Sequence, residues 1–135
     1  MDKVLVDTSA WIEFFKKKGP CHGVVGGLMD DKRVCCLGVI LAELIQGAKS
    51  EKELEVLRDF IHVFDFLDES VEQWRKAGEL SNALLRKGKS VGLSDCYIAV
   101  AATAGKAKLL TLDKHFEVIK EMTGLAFYDV KAGRG

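Results

Sequence analysis

The chain alternates short apolar runs with longer segments in which apolar residues recur every three or four positions. The short runs, rich in aliphatic residues, predict buried strands, and the longer segments predict amphipathic helices. Strands are predicted at residues 4–6, 34–37, 63–67, 109–112 and 125–130, the last at a sheet edge. Because strands alternate with helices, the pattern predicts an α/β fold with a mainly parallel, roughly five-stranded sheet.

Capping and breaking residues delimit the helical segments. Gly19-Pro20 breaks the first helix, Ser50 caps the fourth, and Ser70 begins the longest. Ser94 is expected to cap the helix that follows the loop at residues 88–93. The predicted helices cover residues 10–17, 23–29, 39–46, 51–61, 70–87, 95–104 and 116–122.

The composition narrows the class of protein. A length of 135 residues suits one domain, expected over residues 1–135, and 48% hydrophobic with 30% charged residues excludes a disordered chain. Basic and acidic residues number 20 each, so any phosphate binding must come from a local patch or a metal. Cys21, Cys35, Cys36 and Cys96 fit no disulfide or zinc spacing. Without a signal peptide or a membrane-length apolar stretch, we expect core thiols in a cytoplasmic protein with no membrane association.

Four acidic residues occupy related places in the predicted fold. Asp7 and Asp113 directly follow strands, Asp95 opens a helix, and Glu43 lies one turn into the helix after the second strand. Ligands of open parallel sheets bind beyond the carboxyl ends of the strands. We therefore expect the four carboxylates to converge on one site.

Converging carboxylates need a counter-charge, because they repel one another and are costly to bury unpaired. Oxygen ligands favour Mg²⁺ or Mn²⁺ over zinc. Such a cation lowers the pKa of a bound water and attracts phosphodiesters into a pocket that would otherwise repel them. This chemistry is typical of a metal-dependent nuclease.

Four ordered motifs carry a resemblance to a known family. They are Val-Leu-Val-Asp7-Thr8-Ser9, Leu-Ala-Glu43-Leu with Gly47 after it, Leu-Ser-Asp95, and Leu-Leu-Thr111-Leu-Asp113 before His115-Phe116. In order, spacing and size this set resembles the PIN-domain ribonucleases, and among them the VapC-type toxins of prokaryotic toxin–antitoxin pairs, over residues 3–130. The resemblance implies a PIN-like three-layer α/β/α sandwich.

The resemblance also implies roles for individual residues. Asp7, Glu43 and Asp95 match the family's acidic triad, and Asp113 matches a fourth, more variable acidic or amide position. Ser9, or Thr8, matches a hydroxyl position that assists metal binding or orients Asp7. The implied activity is Mg²⁺- or Mn²⁺-dependent hydrolysis of RNA by a metal-activated water. The implied partners are the RNA substrate, a cognate antitoxin protein and a second copy of the chain in a homodimer.

Each acid also has a purely structural interpretation. Asp7 could cap the first helix, Asp95 could complement a helix dipole, and Asp113 could form an Asx turn. Glu43 could lie on an exposed helix stripe with Gln46. The basic residues Arg86, Lys87 and Lys89 precede Asp95 and could hold RNA phosphates, or they could form a solvated helix end.

Two other classes of function stay open at this stage. The first is a phosphotransfer domain that uses Asp7, although the second aspartate typical of such phosphatases is replaced by Ser9. The second is a non-catalytic PIN-like binding module, against which the filled acidic positions count. Of the histidines, only His115 lies close in sequence to a candidate acid, Asp113.

Overall fold

The described chain, residues 2–130 of this computed structural model, contains a sheet of four parallel strands. They are β1 (Val4–Val6), β2 (Val34–Cys36), β3 (Asp65–Phe66) and β4 (Lys108–Leu110), in the spatial order β3-β2-β1-β4. In register, Val4 pairs with Val34 on one side and with Lys108 on the other. Met1 and residues 131–135, which the predicted single domain includes, lie outside the described residues.

The helices form a layer on each face of this sheet. The chain steps outward from β1 to β2 and β3 and then returns to β4 on the far side of β1. Right-handed crossovers therefore place the helices before β3 on one face and those after it on the other. In chain order the helices are α1 (Thr8–Phe15), α2 (Gly19–Asp30), α3 (Gly38–Gln46), α4 (Glu51–Arg58), α5 (Phe60–Val63), α6 (Val71–Arg86), α7 (Leu93–Ala104) and α8 (His115–Lys120).

The core lies between the sheet and these helices. Every residue of β1 is fully buried, and α7 buries a continuous run from Cys96 to Ala99. Its alanines Ala99, Ala101 and Ala102 are also buried, as close packing of small residues allows. Trp11 is buried against Phe60 and Phe64, and Trp74 stacks on Tyr97 with 3.7 Å between ring centroids. Trp11 is therefore a core residue, whereas Trp74 packs on Tyr97 from the partly exposed side.

The four cysteines are free and buried, which confirms the expected core thiols. Burial raises the pKa of Cys36 to about 12 and that of Cys35 to about 11. Among residues 2–130, the helices all lack the length and apolar character that crossing a bilayer requires.

The predicted fifth strand at residues 125–130 is wrong. This segment meets β4 through one parallel bridge, between Leu109 and Phe127, with Leu109 N donating to Ala126 O and Tyr128 N donating to Leu109 O. Lys108 N and Leu110 O instead bond to the β1 side. Since alternate residues of a strand face opposite neighbours, a three-residue β4 leaves only Leu109 for the outer side.

Several helix ends also differ from their predicted positions. Helix α2 begins at Gly19, because Pro20 is tolerated in the first helical turn, so the helix is longer than residues 23–29. Helix α7 begins at Leu93 after Gly92, so Ser94 lies inside the helix and does not cap it. The predicted cap Ser50 is confirmed, and Ser70, predicted as the first residue of the longest helix, is its cap instead. Each accepts a hydrogen bond from the backbone N three residues on.

Candidate active site

The carboxyl ends of β1 and β4 lie side by side at the point where the chain reverses its direction across the sheet. In open α/β sheets such a reversal opens a crevice between the connections that leave the two strands. Asp7 follows β1 directly, and Thr111 and Asp113 follow β4. The strand order therefore brings residues separated by about a hundred positions to one edge.

Asp7 is buried and held in place by hydroxyl groups. It is 5% exposed, and its backbone N donates to Leu110 O at 2.9 Å. Its Oδ2 accepts hydrogen bonds from Thr111 Oγ1 at 2.7 Å and from Ser9 Oγ at 3.1 Å. Asp7 does occupy the N-cap position of α1, but its side chain makes no capping hydrogen bond of the usual kind, so capping does not explain its burial.

The environment of Asp7 works against its negative charge. Burial raises the pKa of Asp7, while hydrogen bonds from Thr111, the Thr8 backbone and Ser9 lower it in part, and the charge of Asp113 raises it further. A buried carboxylate with donors on one oxygen and a second carboxylate nearby still lacks a full counter-charge.

Glu43 projects from α3 toward the start of α1. Its Oε1 accepts a hydrogen bond from Thr8 Oγ1 at 3.0 Å, and the residue is partly buried whereas Gln46 is exposed. Glu43 therefore does not share an exposed stripe with Gln46. The two adjacent hydroxyls therefore contact different acids: Ser9 orients Asp7, and Thr8 orients Glu43.

Asp95, Asp113 and His115 form a tight group. Each offers one potential ligand atom, and these atoms lie within 4.8 Å of one another. His115 Nδ1 lies 3.1 Å from Asp113 Oδ1, which also accepts a hydrogen bond from the His115 backbone N. The predicted Asx turn at Asp113 is thus present, and it coexists with the cluster.

The charges of the other three acids disfavour the charge of Asp95. The pKa of Asp95 is raised to about 6, first by burial and then by the charges of Asp113, Asp7 and Glu43, with His115 opposing. Asp95 lies in the first turn of α7, where the helix dipole favours a negative charge, yet its pKa is still raised. Asp7 and Glu43 thus act on Asp95 through their charges, whereas the close ligand group contains Asp95 and Asp113 and leaves out Asp7 and Glu43. The convergence of all four carboxylates on one ion stays a prediction.

A divalent cation fits this donor set. Carboxylate oxygens from separate segments meet where burial and mutual repulsion disfavour their charges, and a cation reverses both effects. In the ligand group the carboxylates are those of Asp95 and Asp113, and His115 offers a nitrogen donor beside them.

Sequence reasoning missed the role of Thr111, and it singled out His115 without expecting it in the ligand group. Thr111 donates to Asp7 and accepts from Asp113 N at 3.0 Å, so it links two of the acids. The available signal was its place at the end of a strand beside β1, two residues before Asp113. The signal for His115 was its spacing of two residues after the same acid.

The basic residues before α7 lie at the exposed end of α6 and in the loop beyond it. Arg86, Lys87 and Lys89 are exposed, and Lys89 Nζ lies 3.7 Å from Glu121 Oε2. Their contact with RNA stays a prediction.

One carboxylate links the two helices that carry Glu43 and Asp95. Glu69 accepts a hydrogen bond from Gly38 N, at the start of α3, at 3.1 Å, and another from Tyr97 Oη, in α7, at 2.9 Å. Burial and the charge of Glu69 raise the pKa of Tyr97 to about 12, so the phenol keeps its proton for this bond.

Relatives of known class match nearly the whole chain. A family model described as PIN domain matches residues 4–122. Ribonuclease VapC11 of Mycobacterium tuberculosis is 30% identical over 128 residues, which cover 90% of this chain and 95% of that protein. Ribonuclease VapC1 of Methanocaldococcus jannaschii is 31% identical over 129 residues, covering 94% and 88% of the two chains.

Solved structures agree with this assignment. VapBC of Salmonella typhimurium, solved bound to DNA, contains a chain that superposes with a TM-score of 0.70 at 27% identity, covering 96% of this chain and 99% of that one. VapBC2 of Rickettsia felis, bound to a DNA fragment from its promoter, gives a TM-score of 0.72 at 25% identity, covering 93% and 96%. The chain belongs to the PIN-domain family and, within it, to the VapC ribonucleases.

Proposed function

We propose that this protein is the toxin of a toxin–antitoxin pair, an endoribonuclease whose activity depends on Mg²⁺ or Mn²⁺ held by Asp7, Glu43, Asp95 and Asp113. The observation that carries the proposal is the group formed by Asp95, Asp113 and His115, whose potential ligand atoms lie within 4.8 Å of one another. Burial and the charges of the other three acids also raise the pKa of Asp95, which a bound cation would reverse. Relatives that are named ribonucleases and match most of the chain support the same activity.

The residues of the chain prepare the site for a phosphodiester. Thr111 and Ser9 hold the Asp7 carboxylate in one orientation, and Thr8 does the same for Glu43. These fixed carboxylates supply hard oxygen ligands without having to reorganise. When bound, the cation lowers the pKa of water to give the nucleophile and offsets the charge that develops on the phosphoryl group.

We also propose a cognate antitoxin, a homodimer and a cytoplasmic location. The antitoxin is supported by solved relatives described as VapBC complexes or as VapBC toxin–antitoxin systems. Exposed apolar residues on α5, Ile61 at 59% and Val63 at 65%, supply a surface suited to a second copy. Four unpaired buried thiols are compatible with a reducing compartment.

No observation favours the phosphotransfer alternative. A phosphoryl acceptor must be reached by its donor, whereas Asp7 is 5% exposed and its Oδ2 is occupied by Thr111 and Ser9.

The test is an Asp7→Asn variant assayed on single-stranded RNA with Mg²⁺, with Mn²⁺ or with a chelator. We expect the wild type to cleave RNA with either cation and not with the chelator, and the variant to lose activity by about 100-fold or more while its circular dichroism is unchanged. Asp68→Asn, which changes an exposed aspartate outside the cluster, is the control and should cleave like the wild type. A fully active Asp7→Asn protein would refute the proposal.

A further inference from the structure

A groove of about 770 Å³ opens between α1 and the pair formed by α3 and α4. Thr8 and Glu43, which are joined by a hydrogen bond, are among the residues that line it. The groove is therefore continuous with the candidate active site, although none of the roles proposed above uses the rest of it.

Lysines stand on both sides of this groove. Lys16 and Lys17 line it from the end of α1, and Lys49 and Lys52 line it from the start of α4. The whole chain has a formal net charge of zero, so four lysines around one groove make a local positive field. Beyond the active-site Glu43, the acidic side chain in the lining is Glu53, whose Oε2 accepts the backbone N–H of Lys49.

The surface between the lysines is apolar and partly open to solvent. Ile12 is 43% exposed, Phe15 is 40% exposed and Val56 is 48% exposed, and all three line the groove. Trp11 stacks against Phe15 with 5.7 Å between ring centroids, which supports the Phe15 ring from within. Positive side chains beside an aromatic surface are the combination that binds single-stranded nucleic acid, because phosphates meet the charges and bases stack on the ring.

We propose that this groove holds the stretch of single-stranded RNA next to the scissile phosphate, with Lys16 and Lys52 contacting phosphates from opposite sides and Phe15 stacking on a base. The proposal rests on the ribonuclease activity proposed above and extends it from the acidic cluster to the path of the substrate. RNA is favoured over a protein segment because the groove leads to the carboxylates that act on a phosphodiester and its rims are cationic.

The test measures binding rather than cleavage. A fluorescent single-stranded RNA oligonucleotide is titrated into the Asp7→Asn protein at several salt concentrations, with and without the pair Lys16→Gln and Lys52→Gln. Each lost phosphate contact lowers the slope of log affinity against log salt by about 0.7 for single strands. We therefore expect the slope to fall by about 1.4 and the affinity at about 0.1 M salt to fall by about 25-fold. Phe15→Leu should weaken binding by about tenfold without changing the slope, because stacking involves no counterion.

A matched pair, Lys76→Gln with Lys106→Gln, removes the same charge from exposed positions that do not line the groove and should leave slope and affinity as they were. Unfolding temperatures confirm that all variants are folded. Unchanged RNA affinity in the groove pair would overturn the proposal, and so would a lower affinity with an unchanged salt slope, because Lys16 and Lys52 would then contact no phosphates. In either case cleavage by the wild type with Mn²⁺ would show that the ribonuclease activity itself still stands.

Discussion

Replacing Asp95 with asparagine should stabilise the metal-free protein while it removes activity. Asp95 is partly buried, and Asp113, Asp7 and Glu43 all disfavour its charge. The asparagine side chain would keep the shape of the aspartate without that charge. Functional carboxylates that repel one another reduce the stability of the fold, so we expect Asp95→Asn to unfold at a higher denaturant concentration than the wild type near neutral pH.

The magnitude follows from the pKa. The carboxyl group has an ordinary pKa of 3.8 and a pKa of about 6 in the folded protein. Because the pKa is raised by folding, the contribution of Asp95 to stability is fully present below about pH 4 and is lost as the pH rises through 6. The full difference is about 3 kcal/mol at most, and solvent screening of a partly exposed carboxylate reduces it. About 1 kcal/mol of this loss falls between about pH 5 and pH 8.

The assay is urea unfolding in a chelator at both pH values, for the wild type, Asp95→Asn and the exposed control Asp68→Asn. The wild type and the control should lose about 1 kcal/mol more stability than Asp95→Asn between about pH 5 and pH 8. Adding Mn²⁺ at the higher pH should stabilise the wild type more than Asp95→Asn. If the Asp95→Asn profile ran parallel to that of the wild type, the four carboxylates would not act on one another as inferred here.

Two further substitutions test the supports of the site and of the fold. Thr111→Val removes the hydroxyl that donates to buried Asp7 at 2.7 Å. This variant should lower the free energy of unfolding by about 1.5–3 kcal/mol at neutral pH and slow RNA cleavage. Thr111→Ser keeps the hydroxyl and should keep the stability and the cleavage rate of the wild type. Equal urea midpoints for the two variants would contradict this role. Ser70→Ala removes the cap that accepts from Gln73 N at 3.2 Å and should cost about 1 kcal/mol, with cleavage of RNA unchanged. A change in the cleavage rate of this variant would show that α6 affects the site.

The features that follow from local pattern could be predicted from the sequence. Correct elements were predicted from the aliphatic runs at β1 and β2 and from the apolar spacing of α6. A few neighbouring residues are enough to show that a strand, or one face of a helix, is buried. Asp113 lies three residues beyond β4 rather than directly after a strand, but its place past the carboxyl end was sufficient to predict that it lies at the same edge as Asp7. Thr111 joins the two acids there.

The features that depend on partners distant in sequence were missed. The outer side of β4 offers only Leu109, and the sequence does not show which strand occupies its other side. Thr111 became important only through its contact with Asp7, 104 positions away. The groove near Glu43 likewise arises from the packing of α1 beside α3, which no local pattern of residues describes.

The contacts of Glu69 affect how one end of the molecule opens locally. Its carboxylate spans the top of the sheet, from the beginning of α3 in one layer to the phenol of Tyr97 in the other. Neither helix layer can move away from that edge without breaking its charge-assisted hydrogen bond to Glu69. An opening of this end would therefore break bonds to Glu69 and move apart the helices that carry Glu43 and Asp95.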